Sequence, residues 1–360
     1  MKILLPYATH AAVVNAKGPV VAGGIEKFCK DLEDNIEGVI PVFVTKEDKD
    51  SRRTKKVIQE AIAKHNPDMI IFNNPWWGNM MISFNIPLVC IVHEGLVRDI
   101  RIVELGNLLR KLKDNGAHTY FVSPRQLDFH RKTAMRINEV DFGDITGFIN
   151  PSYLQDSVGV SEELLYDCGT VGRSDMLKVP FLVHKKLHKS NLNSLVMTND
   201  VVYKSDSINA YVDANKHWEA PQHTLRGLPH SEVMTNLAKC RTYCSTCSKE
   251  SWGITAMEAL GCGVPLILMC DDSGNHSSEI IAADTSHYIK LDKDCSDEVF
   301  ADTVRGIMNL SPKERLEISE MTKEKHSLKN WKLAIDNLVN LRYNDRRKQS
   351  NDLMGFFNEW

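Results

Sequence analysis

The chain has 360 residues, of which 42% are hydrophobic and 25% charged, and its formal net charge is −3 at pH 7. This composition is typical of a folded protein with room for two domains, and it excludes a disordered chain and a generally basic nucleic-acid-binding protein. The chain has nine irregularly spaced cysteines, no signal-peptide pattern and no apolar run of membrane-spanning length. We therefore expect a cytoplasmic protein without a membrane partner.

Strand-like and helix-like segments alternate in the first half of the chain. This alternation predicts a parallel sheet with helices on both faces. The rhythm ends near the turn at Asn150-Pro151, so we assign residues 1–155 to an N-terminal domain. The predicted strands are 2–6, 39–45, 69–73, 88–93 and 119–123, and the predicted helices are 24–36, 52–65, 99–115 and 124–136.

A second alternating series follows and predicts a C-terminal domain over residues 156–325. The simplest assembly is an α/β protein with two doubly wound Rossmann-like domains facing a central cleft. A helical tail is predicted from Pro312 to about Arg346, and we expect its part from residue 326 onward to cross back to the N-terminal domain. The strands of the second domain are predicted at 167–172, 194–198, 222–225, 241–246, 264–269 and 287–291, and its helices at 178–188, 231–240 and 253–260.

The most informative segment runs from Glu250 to Glu258 and is followed directly in the sequence by Ala-Leu-Gly-Cys-Gly-Val-Pro. Gly253 marks the point where a loop becomes a helix, and a helix N-terminus offers free N–H groups to an anion. Two carboxylates flanking that point can accept hydrogen bonds from hydroxyls on either side of the anion. A nucleotide-sugar has this layout, so the segment predicts sugar transfer.

Other candidate ligand-binding residues lie at the ends of predicted strands. Gly23-Gly24 precedes the first long helix but lacks the dinucleotide-binding fingerprint, which disfavours a nicotinamide enzyme. Arg173 and Lys178 follow a strand and could hold a diphosphate. His93 closes an apolar strand, where it could hydrogen-bond a sugar or carry a proton, or serve only as a structural histidine.

The cysteine cluster Cys240, Cys244 and Cys247 invites a zinc site with a nearby histidine, His223 or His230. Residues 241–248 also have the pattern of a strand that enters the site loop, and cysteine is common in protein cores. We therefore prefer a buried strand and expect no metal.

Taken together, these motifs resemble the retaining nucleotide-sugar glycosyltransferases of the two-domain GT-B class. The resemblance rests on Gly23-Gly24, His93, Gly172-Arg173 with Lys178, and Glu250-x7-Glu258 followed by Gly-x-Gly-x-Pro. It implies that Arg173 and Lys178 clamp the departing UDP, that Glu258 binds ribose and that Glu250 holds the donor sugar. It further implies that Gly253, Ile254 and Thr255 give amides to the phosphates, that Gly227 lines the nucleobase pocket and that His93 lies beside the reacting sugar. On the same resemblance, the N-terminal domain is acceptor-binding and the C-terminal domain is nucleotide-sugar-binding.

Two positions depart from the family pattern. Thr246-Cys-Ser-Lys249 replaces the usual Pro-Ser before the first glutamate, and Val179 stands where glycine customarily follows the clamp lysine. These departures affect the expected shape of the two loops.

Within this class, the chain is similar to the phage DNA α-glucosyltransferases that modify 5-hydroxymethylcytosine. The similarity rests on His93-Glu94, the arginine-bearing helix that follows, Ser123, Asp128-Phe129 and Gly172-Arg-Ser-Asp-Met-Leu-Lys178. It implies a UDP-sugar donor, glucose or a pentose such as arabinose as the sugar, and double-stranded DNA containing 5-hydroxymethylcytosine as partner, without a further cofactor. Residues 98–136 hold nine Lys/Arg against four acids, which suits contacts with DNA phosphates.

Four other functions remain open from the sequence. The first is a transferase with a saccharide, lipid-linked glycan or small-molecule acceptor, and the second is a UDP-sugar epimerase. The third is a glycoside hydrolase, which needs two carboxylates facing each other across a bond and no diphosphate clamp. The fourth is a binding module that holds a nucleotide or DNA and transfers nothing.

Overall fold

The computed structural model describes twelve ranges: residues 1–9, 24–45, 51–93, 99–136, 146–155, 158–172, 179–198, 223–247, 252–270, 276, 278–283 and 285–340. The chain divides into two units. The first comprises Met1–Tyr153 and Leu328–Trp360, and the second comprises Leu154–Ser327. Within the described ranges, no helix has both the length and the apolarity of a membrane span.

The first unit is built on a six-stranded parallel sheet with the order β2-β1-β3-β4-β5-β6. The chain runs from β1 outward to β2 and then returns to the other side of β1, which makes the sheet doubly wound. The strands are β1 (Ile3–Thr9), β2 (Val39–Thr45), β3 (Met69–Phe72), β4 (Leu88–Val92), β5 (His118–Phe121) and β6 (Gly147–Phe148). The helices between them are α1 (Gly24–Asn35), α2 (Ser51–His65), α3 (Gly78–Ile82), α4 (Asp99–Asp114) and α5 (Pro124–Arg136).

The central strands β3 and β4 are buried along their whole length, as expected for apolar strands of a parallel sheet covered on both faces. A short 3₁₀ turn over Pro75–Trp77 follows β3, and its two tryptophans pack partly buried against the core of the same unit.

The second unit contains another six-stranded parallel sheet, with the order β12-β11-β10-β7-β8-β9. Its switch point lies between β7 and β10, which pair through Gly169 and Tyr243. The strands are β7 (Cys168–Val171), β8 (Ser194–Thr198), β9 (Thr224–Arg226), β10 (Tyr243–Ser245), β11 (Leu266–Cys270) and β12 (Tyr288–Asp292). The helices are α6 (Leu182–Leu187), α7 (His230–Ala238), α8 (Ile254–Gly261), α9 (Glu279–Ala282), α10 (Asp297–Ile307) and α11 (Pro312–Lys325). The predicted α/β fold class, with two doubly wound parallel sheets, is confirmed.

The sharp connection from α8 to β11 depends on Gly263. Its φ is +69°, and a Cβ built there would lie 2.4 Å from the carbonyl oxygen of Arg315. The Arg315 side chain is itself 4% exposed and donates to the carbonyls of Gly263 (3.1 Å) and Ala238 (2.9 Å). The guanidinium therefore ties α11 to the C-terminal ends of α7 and α8, whose last carbonyls lack helical partners.

The predicted C-terminal helix is interrupted, which corrects the continuous helix expected from Pro312 onward. Helix α11 ends at Lys325, and residues 328–340 form a separate helix, α12, which belongs to the first unit. At the break, the carbonyl of His326 accepts the N–H of Leu154 at 2.8 Å instead of continuing the helix. The return of the last helix to the N-terminal unit agrees with the sequence analysis, and residues 341–346 lie outside the described ranges.

Candidate functional site

The N-terminus of α8 is the best-defined feature of the candidate site. Gly253 precedes the helix with φ 93° and ψ 58°, a left-handed conformation that favours glycine, and no described side chain caps this end. The carbonyl of Gly253 already accepts the amides of Ala256 and Met257. The preceding amides of Ile254 and Thr255 have no place in the helical ladder and can bind an anion.

Glu258 lies on α8, one turn beyond these amides. The residue is 7% exposed, and its Oε1 lies 2.7 Å from Nε2 of His230, the first residue of α7. Among the described residues, Oε2 of Glu258 has no hydrogen-bond partner. The carboxylate is thus held through one oxygen, while the other remains available to a hydroxyl donor.

The Thr255 side chain contributes to the position of α8. Its hydroxyl hydrogen-bonds the phenol of Tyr243 on β10, and burial raises the pKa of that phenol above its usual range. Tyr243 is 3% exposed and lies at the centre of the second sheet. The backbone amide of Thr255, rather than its hydroxyl, is therefore the group available to a phosphate.

Gly227 lies at the start of the short connection from β9 to α7. Its φ is 62°, and its N–H donates to the carbonyl of Thr198 at 3.0 Å. Pro229 follows as the residue before α7, and His230 opens the helix. Gly227, the predicted nucleobase-pocket residue, is therefore only three positions before His230, the hydrogen-bond partner of Glu258. The sequence analysis considered His230 only as a possible zinc ligand, although its place at a helix start just after Gly227 was a usable signal.

The predicted diphosphate clamp, Arg173 with Lys178, and the first glutamate, Glu250, lie outside the described residues. The strands that precede them in the sequence are described. Strand β7 ends at Val171 and β10 ends at Ser245, and these two parallel strands are neighbours at the switch point of the sheet. In doubly wound sheets, ligands bind outside the carboxyl ends of the strands at this point.

Three predicted site residues belong to the first unit, and one of them, Gly23, lies outside the described ranges. Gly24 is the first residue of α1. His93 directly follows β4, and its ring lies 4.9 Å from the ring of Phe28 on α1. Burial lowers the pKa of His93 to about 3, so the imidazole is neutral at pH 7. This favours a hydrogen-bonding role for His93 over a role as a charged acid.

The cysteines of the possible zinc cluster are buried in the second unit. Burial raises the pKa of the Cys240 and Cys244 thiols well above the usual range, which keeps them protonated. Cys240 also packs so tightly on β7 that a Cβ at Gly169 would lie 2.4 Å from its sulfur. These contacts agree with the preferred interpretation of a core strand.

Val179 is strained. Its φ is 34°, in the left-handed region that a β-branched residue rarely adopts, and its carbonyl accepts the amide of Leu182 in the turn before α6. The predicted helix over 178–188 therefore begins only at Leu182. The glycine that the family resemblance leads one to expect here would adopt this conformation without strain.

We expect Val179→Gly to raise the free energy of unfolding by about 1 kcal/mol, because left-handed backbone strain of about 1–2 kcal/mol exceeds the entropic cost of glycine. Thermal unfolding of the second unit measures the effect. Val171→Gly, in the extended backbone of β7, is the matched control and should destabilise the protein. A lower melting temperature for Val179→Gly would contradict the strain at this residue.

Comparison with known proteins adds three findings. Residues 214–325 match the family of glycosyl transferases group 1. Sucrose-phosphate synthase from Thermosynechococcus elongatus is structurally similar, with a TM-score of 0.67 and 12% identity over 96% of this chain and 99% of that chain. HepE from Anabaena, in complex with UDP and glucose, gives a TM-score of 0.67 and 12% identity over 94% of this chain and 99% of that chain.

A glycosyltransferase from Rickettsia africae is also similar, with a TM-score of 0.64 and 13% identity over 95% of this chain and 98% of that chain. No curated protein sequence matches the chain. At these identities the solved structures establish the fold, and the family match covers the segment that contains Gly227, His230, Gly253 and Glu258.

Proposed function

We propose that this protein, a glycosyltransferase with the GT-B fold and a group 1 segment over residues 214–325, transfers a sugar from a UDP-sugar with retention of configuration. One observation carries the proposal. The uncapped N-terminus of α8 offers amides to a diphosphate, and the buried carboxylate of Glu258, held by His230, lies one turn away. This spacing suits a phosphate and a ribose hydroxyl of one nucleotide. HepE from Anabaena has been solved in complex with UDP and with UDP-glucose, which supports UDP as the carrier in the present proposal.

The proposed mechanism is electrostatic. Arg173, Lys178 and the amides of Gly253, Ile254 and Thr255 stabilise negative charge on the departing diphosphate. With these donors, no metal or further cofactor is required.

The remaining residues position the donor. Glu250 accepts hydrogen bonds from the hydroxyls of the donor sugar, and Gly227 lines the pocket of the base. Neutral His93 donates or accepts a hydrogen bond beside the reacting sugar, and Gly23 and Gly24 allow the backbone to approach it closely.

For the acceptor, we propose 5-hydroxymethylcytosine in double-stranded DNA. Helices α4 and α5 pack together and carry the exposed basic residues Arg110, Lys111, Lys113 and Arg131. Exposed acids on the same helices keep the net positive charge modest, which favours contacts with a few phosphates over tight nonspecific binding. Transfer to a base within a duplex requires that the base leave the stack.

A saccharide acceptor is the second candidate. A structural neighbour over 94% of this chain is described as a lipopolysaccharide outer core galactosyltransferase, with a TM-score of 0.57. This similarity favours a carbohydrate hydroxyl as the alternative acceptor, with the same UDP-sugar donor and the same donor-binding residues.

The test is mass spectrometry of acceptors incubated with the full chain and a panel of UDP-hexoses and UDP-pentoses. We expect a mass increase of one sugar on duplex DNA containing 5-hydroxymethylcytosine and none on unmodified DNA. Proton NMR of the linked sugar reports whether the anomeric configuration of the donor is retained. If product forms only on saccharides, the acceptor is a saccharide and not DNA. If no acceptor gives product, the proposed transferase activity is overturned.

A further inference from the structure

The pair formed by His230 and Glu258 joins two helices of the second unit. His230 is the first residue of α7, and Glu258 lies in the second turn of α8. Their Nε2 and Oε1 atoms are 2.7 Å apart, within the range of a strong hydrogen bond to a carboxylate. Because a carboxylate oxygen can only accept, His230 must carry its proton on Nε2 in this contact.

Both ends of the pair are fixed by backbone contacts. The β9–α7 connection is anchored by the hydrogen bond from Gly227 to Thr198, and the carbonyl of Pro229 accepts the first amides of α7. At the opposite ends of α7 and α8, the buried guanidinium of Arg315 donates to carbonyls of both segments. The geometry between the two helices is therefore set before any ligand arrives.

The two partners differ in exposure. The Glu258 side chain is 9% exposed and that of His230 is 40% exposed, so the carboxylate is the buried partner and the histidine the more exposed one. In the described part of the chain, no lysine or arginine forms an ion pair with Glu258, and His230 is the group that holds Oε1. A carboxylate fixed in this way presents Oε2 in one direction.

We infer that His230 is a positioning residue that aims Oε2 of Glu258 at the ribose diol, so that the site selects ribonucleoside diphosphates over their 2′-deoxy counterparts. The inference rests on the proposed function, because it takes the ligand to be UDP. The two hydroxyls of a ribose can donate to the oriented carboxylate, whereas a 2′-deoxyribose has lost one of these two donors and with it one hydrogen bond to the buried acceptor. The binding energy of this contact depends on His230 although His230 itself need not touch the nucleotide.

The test compares the dissociation constants of UDP and 2′-deoxy-UDP by calorimetry on the full chain. We define the selectivity ratio as the constant for 2′-deoxy-UDP divided by that for UDP. The wild type should show a ratio of about ten or more, as expected for a hydrogen bond to a charged group. In His230→Ala the ratio should fall at least about fivefold, mainly through weaker UDP binding, and His230→Gln, which keeps an N–H donor, should restore part of it.

Two further variants separate positioning from a general loss of structure. Thr235→Ala changes an exposed residue of the same helix and should leave both constants unchanged. Glu258→Gln should lower the ratio, and adding His230→Ala to it should cause no further loss, because the histidine acts through the carboxylate. A general packing defect would instead weaken both nucleotides equally.

The outcomes are distinguishable. If the wild type does not bind UDP, the proposed function and this inference are both overturned. If UDP binds with the same ratio in the wild type and in folded His230→Ala, the inference alone is overturned. A ratio that falls in His230→Ala and recovers in His230→Gln supports it.

Discussion

Replacing Arg173 by alanine is expected to lower the turnover of sugar transfer by at least about 100-fold, because removing one donor to charge that develops in the transition state costs this much in other enzymes. The charge in question is that of the departing diphosphate, which an alanine cannot stabilise. Donor binding should weaken less than turnover, because the contact strengthens as the bond to the sugar breaks. Steady-state kinetics with the sugar donor and acceptor identified above measure both quantities.

The matched controls for Arg173 test charge and position separately. Arg173→Lys keeps the charge but loses the planar pair of donors, so we expect activity between that of the wild type and that of the alanine variant. Lys185→Ala removes an exposed cation from α6 in the same unit and should leave turnover unchanged. Near wild-type turnover in Arg173→Ala would contradict the assignment of Arg173 to the diphosphate clamp.

Trp331 is expected to be the residue of α12 on which the stability of the first unit depends most. Its side chain is 2% exposed, and its Nε1 donates to the carbonyl of Asn150 at 3.1 Å. The ring packs against Tyr153 at 5.4 Å and Phe28 at 6.3 Å between centroids. Trp331→Ala should lower the free energy of unfolding by about 3–5 kcal/mol, since it empties a buried aromatic site.

Calorimetric unfolding checks this prediction, and the transition of the first unit should shift down by about 10 °C. Trp331→Phe keeps most of the aromatic contact and loses the hydrogen bond, so we expect a loss of about 1–2 kcal/mol. Leu333→Ala, at a position 58% exposed on the same helix, should change stability by less than about 0.5 kcal/mol. Equal effects of Trp331→Ala and Leu333→Ala would contradict the role assigned to the tryptophan.

The contacts of Trp331 also reach a predicted site residue. Phe28 lies between the ring of Trp331 and that of His93, with a centroid distance of 4.9 Å to the histidine. The C-terminal helix therefore supports α1 at the place where His93 follows β4. This contact explains why a helix so late in the sequence belongs to the N-terminal unit.

The fold was largely predictable because each strand carries its own signal. Strands β2 and β8 and helix α5 have the predicted bounds, and most of the other predicted elements differ by one to three residues. Strand β6 and helices α3, α9 and α10 were not predicted. Two predicted helices differ by more than this. Helix α6 begins late because Val179 is left-handed, and the tail helix breaks because the His326 carbonyl binds the Leu154 amide. Pro180, directly after Val179, was a usable signal for the late start of α6, whereas no glycine or proline stands beside His326.

The candidate site was predictable only in part. Gly253 and Glu258 stand in a motif whose spacing places both on one helix start, so residue type and periodicity suffice to select them. His230 is separated from Glu258 by 28 positions, and no local pattern records that pairing. The neutral state of His93, which follows β4, likewise depends on its burial, to which the ring of Phe28 on helix α1 contributes.

The sequence by itself determined the alternating α/β architecture, the helix start at Gly253 and the residue types that suit a nucleotide-sugar, because these depend on short-range periodicity and local backbone preference. Only the tertiary structure decided which histidine holds Glu258 and where the last helix returns. Those outcomes depend on contacts between segments distant in sequence, whose free energies appear only when the sheets and helices pack.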